Sequence, residues 1–244
     1  AQMAGYDVVK SEQPQPGSMK FTLSEHKVKK RTKFRIRRAF KNEGLLDASW
    51  QNLGKGFNHV YGADSTTSAT HTAANIVGRS SLLKALRIFR SLPELENVTL
   101  QSMSSEVSVR ETYRIVGMHE ITAEEYLKGV SYEDGLCHSF YPIDLHYSEG
   151  VKKMYLDDGV VPSIPLRSLI PQDSTNFLVA GRCVSSDQRA NSALRVQASC
   201  MAMGQVAGAV AALGAQSNNA LLNLSLKVVR ELLLCHGAIV PPAP

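Results

Sequence analysis

Residues Phe177 to Leu213 read FLVAGRCVSSDQRANSALRVQASCMAMGQVAGAVAAL and restrict the fold more tightly than the rest of the chain. The apolar run Phe177–Ala180 stops at Gly181 and predicts a short buried strand. Gly181 permits a tight turn and close approach of the backbone to a ligand. Ser185, Ser186 and Asp187 suit a loop. A helix is predicted to begin between Ala193 and Ala198 and to run to about Leu213. Along it Gly204, Gly208 and Ala212 recur every four residues, which leaves one face almost without side-chain bulk. Glycine costs a helix about 1 kcal/mol relative to alanine, so two on one face point to a close approach. The unpaired N–H groups of a helix start favour an anion or an electron-rich carbonyl. An ordinary alanine-rich helix, packed through Gly204 and Gly208, fits the same pattern. Gln205, within a short and mostly alanine stretch, argues against a membrane span.

A chain of 244 residues holds one large domain or two modest ones. Its composition is that of a soluble globular protein. Cys137, Cys183, Cys200 and Cys235 are far apart with no C-x-x-C pair. That spacing suggests neither zinc nor a disulfide framework, and it fits a reducing, cytoplasmic compartment. The start, AQMAGYDVVKSEQPQPGS, lacks a basic-then-apolar leader and reads as a point inside a larger protein. The net charge is +5, but Lys27–Arg38 (KVKKRTKFRIRR) alone holds eight basic residues, which leaves the remainder at −3. Lys33, Arg35 and Arg37 alternate with Phe34 and Ile36, as on the solvated face of a strand. That face is favoured over nucleic-acid binding, because no recognised binding module surrounds the run. A patch for an acidic surface, or for drawing in a carboxylate substrate, is the other reading.

Before residue 96 the sequence predicts strands at Met19–Leu23 and Lys33–Phe40 and a helix over Thr70–Arg90, with Ile76, Leu83, Leu86 and Phe89 on its apolar face. Thr122-Ala-Glu-Glu125 is a capping-box pattern. Tyr141–His146 should be extended, since Pro142 removes a donor. Asn219–Cys235 predicts a last amphipathic helix, with Leu222, Leu226, Val229 and Leu233 on one side and Gly237 as its stop.

Three segments together resemble the FAD-dependent oxidoreductases related to fumarate reductase and glutathione reductase. They are Phe177–Leu213; Val109–Gly117 (VRETYRIVG) with Ile121–Leu127; and Ser139–His146 (SFYPIDLH) with Ile164–Pro171. Their order and spacing match over roughly the last 140 residues. The resemblance implies an α+β or α/β fold, with residues 1–96 belonging to a cap or substrate domain and 97–240 to the C-terminal part of an FAD-binding domain. It implies FAD as cofactor, and hydride transfer between a small organic substrate and the flavin. Gly181, Arg182, Ser185, Arg195, Val196, Cys200, Met203 and Gly204 would then border the cofactor. Arg182 would lie near the ribityl chain or phosphates, and Arg195 near the pyrimidine edge of the ring.

Arg110 and Arg114 are candidates for orienting a substrate or for stabilising negative charge, and equally for ion pairs with Glu111 or Glu106. Asp144 and His146, two apart, share a face of an extended segment, where a carboxylate equips an imidazole for proton transfer. Against this stands a solvated pair or a capping aspartate. Cys200, near a helix start, is placed for a lowered thiol pKa, but with no neighbouring cysteine for dithiol chemistry it reads as a small residue facing the flavin or the core. No metal set is evident.

FAD proteins of this kind hold the ADP half with a strand, a glycine-rich turn and a helix. The sequence has only Gly54-Lys-Gly-Phe-Asn-His59, with histidine at the third glycine position. The expected partners are therefore a small-molecule substrate and a subunit or chain segment that supplies the ADP-binding half, with no membrane. The rival expectation is a non-catalytic partner or truncated relic whose Lys27–Arg38 run binds an acidic surface or nucleic acid.

Overall fold

The computed structural model describes residues 5–11, 15–24, 28–45, 55–147 and 150–242. The elements in chain order are β1 (Val8–Lys10), β2 (Gly17–Leu23), α1 (Lys30–Asn42), β3 (Lys55–Val60), α2 (Ser68–Arg90), β4 (Leu100–Met103) and β5 (Tyr113–Ile115). Then come α3 (Ala123–Lys128), β6 (Gly135–His138), β7 (Ile143–Tyr147), β8 (Gly150–Met154), β9 (Ser163–Pro165), α4 (Gln188–Leu194), α5 (Gln197–Ser217) and α6 (Leu226–Cys235). Among the described residues the strands form small antiparallel sheets: β1–β5, β3–β2–β4, β6–β9 and β7–β8. The fold is mixed helix and sheet, as expected, and of the α+β kind.

Two compact units divide the chain: Gln13–Arg110, and Ala1–Glu12 together with Glu111–Pro244. In the first, β2 alternates buried Met19, Phe21 and Leu23 with more exposed Ser18, Lys20 and Thr22, the period-2 signature of a strand covered on one face. Its neighbour β4 sets Phe21 opposite Met103, so residues 97–110 pack with this unit. The buried side of the sheet meets α2 through Ala74, Gly78, Leu82, Ala85 and Phe89. A Cβ on Gly78 would lie 3.1 Å from side-chain atoms of Val60 and Val107, so glycine is what lets this helix settle on the sheet. That close seam also corrects the expected apolar face: Ile76 and Leu83 are 60% and 50% exposed. Thr67 and Thr70 bond reciprocally as a capping box, starting α2 two residues earlier than predicted.

The strand expected over Lys33–Phe40 is instead α1. Thr32, Ile36 and Phe40 are buried at four-residue spacing, while Phe34 is 68% exposed. The alternation of charge across residues 33–37 is real, but burial follows the helical period. Lys27, the first residue of the basic run, and Gly54, the first of the glycine near-miss, lie outside the described residues. Residues 55–59 of that near-miss lie in β3.

In the second unit Thr122 and Glu125 form the expected capping box at the start of α3, and Gly129 ends the helix in the left-handed region. Phe177–Ala180 is not a buried strand: the run is half-buried. The one ladder-like bond found for it runs from Val179 N–H to the Leu169 carbonyl, 2.8 Å. Beyond it, the expected loop contains α4, because Asp187 caps that helix by accepting from Ala190 N–H at 2.7 Å. The following helix, α5, begins inside the predicted window and continues a turn past Leu213. By length and composition α5 could cross a membrane, but its stripe of Ser199, Met203, Val206, Val210 and Gly214 is buried in this unit. The last predicted helix is shortened to α6, since Leu221–Asn223 make a separate 3-10 turn and Leu224 is extended. Leu222 is 48% exposed as a result.

Helix and strand readings of α1 bury opposite residues. Ile36→Ala is expected to destabilise the first unit by about 2–4 kcal/mol, and Phe34→Ala by no more than about 0.5 kcal/mol. Urea unfolding of the two variants measures this, and a larger loss at Phe34 would contradict the helical packing.

Candidate functional site

The second unit is tied together by buried polar groups that converge on the junction between α4 and α5. Arg195 is the C-cap residue of α4, and its side chain is 7% exposed. Its Nη1 donates to Glu111 Oε2 at 2.9 Å, and its Nη2 to the Asp144 carbonyl at 3.3 Å. Glu111, whose side chain is fully buried, also accepts from Gln188 Nε2 at 2.9 Å. Arg114, likewise buried, donates from Nε to the Ser186 carbonyl and from Nη1 to Ser11 Oγ, both at 2.8 Å. Asp187 shares its carboxylate between two helix starts: Oδ1 takes Ala190 N–H, and Oδ2 takes Ala123 N–H of α3 at 2.6 Å.

These bonds relocate several sequence candidates. Arg110 belongs to the first unit, where it donates to the Pro16 carbonyl and lies 3.4 Å from His59 Nε2. Neither it nor Arg114 pairs with Glu106 or Glu111 as the sequence had allowed; the partner of Glu111 is Arg195. Ser185 is buried, and its hydroxyl accepts from Gly117 N–H at 3.1 Å. Met203 faces the core.

Asp144 and His146 do meet. They share one face of β7, with His146 Nε2 3.3 Å from Asp144 Oδ2. Ser192 Oγ accepts the Asp144 N–H at 2.9 Å, so α4 fixes the backbone of β7 at this residue. The buried Asp144 Oδ1 has no hydrogen-bond partner.

The remaining candidates lie around the start of α5. Gly181 has φ +99°, a conformation that favours glycine, and open space where a Cβ would stand. Arg182 is exposed, and its carbonyl accepts from Asn191 Nδ2 at 3.1 Å. Asn191 is fully buried, yet its Oδ1 lacks a partner among the described residues. Val196, the N-cap of α5, offers no side-chain acceptor to the first turn. Gly204 and Gly208 are exposed, with nothing within 4 Å of a Cβ built on either. Cys200 lies within electrostatic reach of Arg182 and Cys183. Contrary to expectation its thiol pKa is raised: burial outweighs the attraction of Arg182. Burial likewise pushes the Cys137 thiol up to about 12.

Sequence reasoning missed the hydroxyl chain that holds the first turn of α5. Tyr126 Oη lies 2.9 Å from Ser139 Oγ, which lies 2.8 Å from Ser199 Oγ. Burial raises the Tyr126 pKa to about 12, which keeps it a phenol. On another flank of α5 an apolar groove of 520 Å³ runs past Leu136, Phe140, Met201 and Ile239. The buried Nδ1 of His138, also on that groove, lacks a partner.

A family profile described as FAD dependent oxidoreductase matches residues 2–233. The chain belongs to that family, whose cofactor is FAD and whose role is flavin-dependent redox chemistry. A search of curated proteins and a search of solved structures each found no match.

Two outcomes follow from this geometry. Glu111→Ala leaves the Arg195 guanidinium buried without its counter-ion, an expected loss of about 3–5 kcal/mol; replacing both residues by apolar ones should cost less, as chemical denaturation will measure. At neutral pH a thiol reagent should label exposed Cys235 well before Cys137, Cys183 and Cys200, as followed by peptide mass mapping.

Proposed function

We propose that this chain forms the wall of an FAD site beside the isoalloxazine ring, and that a glycine-rich strand–turn–helix unit on another segment or subunit holds the ADP half. The start of α5 carries this reading. An uncapped helix N-terminus, the Gly181 turn and an open face of small residues occur together in one segment. The residues fit the group, because the flat ring needs an approach free of side chains and the electron-rich edge of a flavin needs N–H donors. The orphaned Asn191 Oδ1, on the residue that braces the Gly181–Arg182 turn, adds a polar atom in need of a partner.

Bound FAD supplies a two-electron carrier for hydride exchange with a small organic substrate. Gly181, Arg182, Cys200 and Gly204 line the approach, and the first amides of α5 favour negative charge at the ring edge. Arg195, Ser185 and Met203 act from behind the wall: their bonds and burial fix where Val196 and the helix start lie. His146, oriented by Asp144, is the group that moves a proton. Arg114, with Nε and Nη1 engaged inside the fold, is a strut rather than a substrate clamp.

Co-expressed with the segment that carries the glycine-rich unit, the chain should purify yellow with the visible bands of oxidised flavin. An assembly that stays colourless and takes up no added FAD ends the reading. A Cβ at Gly204 meets nothing within 4 Å among the described residues, so Gly204→Leu should leave the thermal stability of the chain alone intact. In the assembly it should weaken flavin uptake by at least about tenfold, or roughly 1.4 kcal/mol. Unchanged flavin affinity would move the cofactor off this face.

A further inference from the structure

The charge of the first unit is concentrated on α1. Lys29, Lys30, Arg31, Lys33, Arg35, Arg37, Arg38 and Lys41 are all exposed, and the helix contains no acidic residue. Among the described residues only Glu94 answers them: Lys29 and Arg31 each lie 3.7 Å from its Oε1. Glu43, just past the helix, is paired with Lys84 at 3.0 Å. Lys30, Lys33, Arg35, Arg37, Arg38 and Lys41 have no acidic partner among the described residues.

We infer that the exposed face of α1 is a binding surface for double-stranded DNA, entering the major groove with its cations on the phosphates at both sides.

Geometry favours this polyanion over a flat one. At 3.6 residues per turn, positions 30 to 41 spread their cations over about 200° of the helix circumference. A planar lipid surface touches only a narrow ridge of such a helix. A major groove about 12 Å wide admits a helix and places phosphates along both flanks. Membrane insertion also needs apolar area. Here Ile36 and Phe40 are spent in the unit's own core, and Phe34 is the large hydrophobic left exposed on α1. Phe34 sits at the centre of the arc, with Lys30, Arg31, Arg37 and Arg38 three or four residues away on either side. That places one apolar side chain facing the groove floor, where thymine methyl groups lie. The A-form major groove of duplex RNA is too deep and narrow for this fit. Contacts that are mostly to phosphate imply binding with little sequence preference, with a dissociation constant on the order of 10⁻⁵ M at physiological salt.

Fluorescence anisotropy of the full chain on a labelled DNA duplex of about two helical turns tests the inference. The logarithm of affinity should fall linearly with that of salt, with a slope between about −3 and −5. Replacing Lys33, Arg37 and Lys41 by glutamine should weaken binding at least tenfold and flatten the slope by about 3. Removing equal charge from the other unit, at exposed Lys152, Lys153 and Lys227, should leave affinity within twofold. Lys33→Arg with Lys41→Arg should retain binding. An unchanged affinity in the α1 triple variant, with circular dichroism showing the fold intact, overturns the inference. So does tighter binding, at the same salt, to duplex RNA or to phosphatidylserine vesicles.

Discussion

The second unit depends on one buried ion pair. Glu111 and Arg195 are 84 residues apart, and their 2.9 Å contact links the segment entering β5 to the junction where α4 ends and α5 begins. Both charges are removed from water, a cost of several kcal/mol each that Coulomb attraction alone does not reliably offset. Further hydrogen bonds help offset that cost, from Gln188 to the carboxylate and from the guanidinium to the Asp144 carbonyl. The same arginine thus reaches the backbone of β7, one face of which carries the Asp144–His146 pair. One interaction orients both the helix start and the strand on which the proposed chemistry relies.

Around that pair, short polar side chains replace regular secondary structure as the organising force. Asp187 closes two helix starts with one carboxylate, and Ser192 and Ser185 anchor backbone N–H groups from β7 and from Gly117. Among the described residues the sheets here have two strands each, and such pairs are marginal without packing against helices. Side-chain capping thus does work that a wide sheet would otherwise do, and it sets where the first turn of α5 lies.

Local signals were legible in the sequence where the causes are local. The Thr122–Glu125 capping box and the Met19–Leu23 alternation are each set by side chains within a few residues. The failures occur where a distant neighbour decides. Phe177–Ala180 has the composition of a strand, but the ladder bond found for it is a single one to Leu169. In α1 the decisive residues are Ile36 and Phe40, which count as core only once α2 lies beside them. At the site, the closeness of Asp144 and His146 followed from their spacing. The pairing of Arg195 with Glu111 did not, because no pattern in one sequence links residues so far apart. The raised thiol of Cys200 shows the same limit: a helix start lowers a thiol pKa only when burial does not outweigh it.

The glycines of α5 bear on what the second unit lacks. Each costs the helix about 1 kcal/mol relative to alanine, and that cost is normally offset by a neighbour packed where the side chain would be. At Gly78 of α2 such neighbours exist, with Val60 and Val107 side chains 3.1 Å from a notional Cβ. At Gly204 and Gly208 there are none within 4 Å among the described residues. Two destabilising residues, one turn apart on an exposed face, have no packing partner among the described residues. Under the proposed function, the flat ring of FAD approaching from outside would account for both. The opposite side of α5 is held in the unit's core by Met203, Val206 and Val210, so the helix is fixed firmly enough for its bare face to serve as a template.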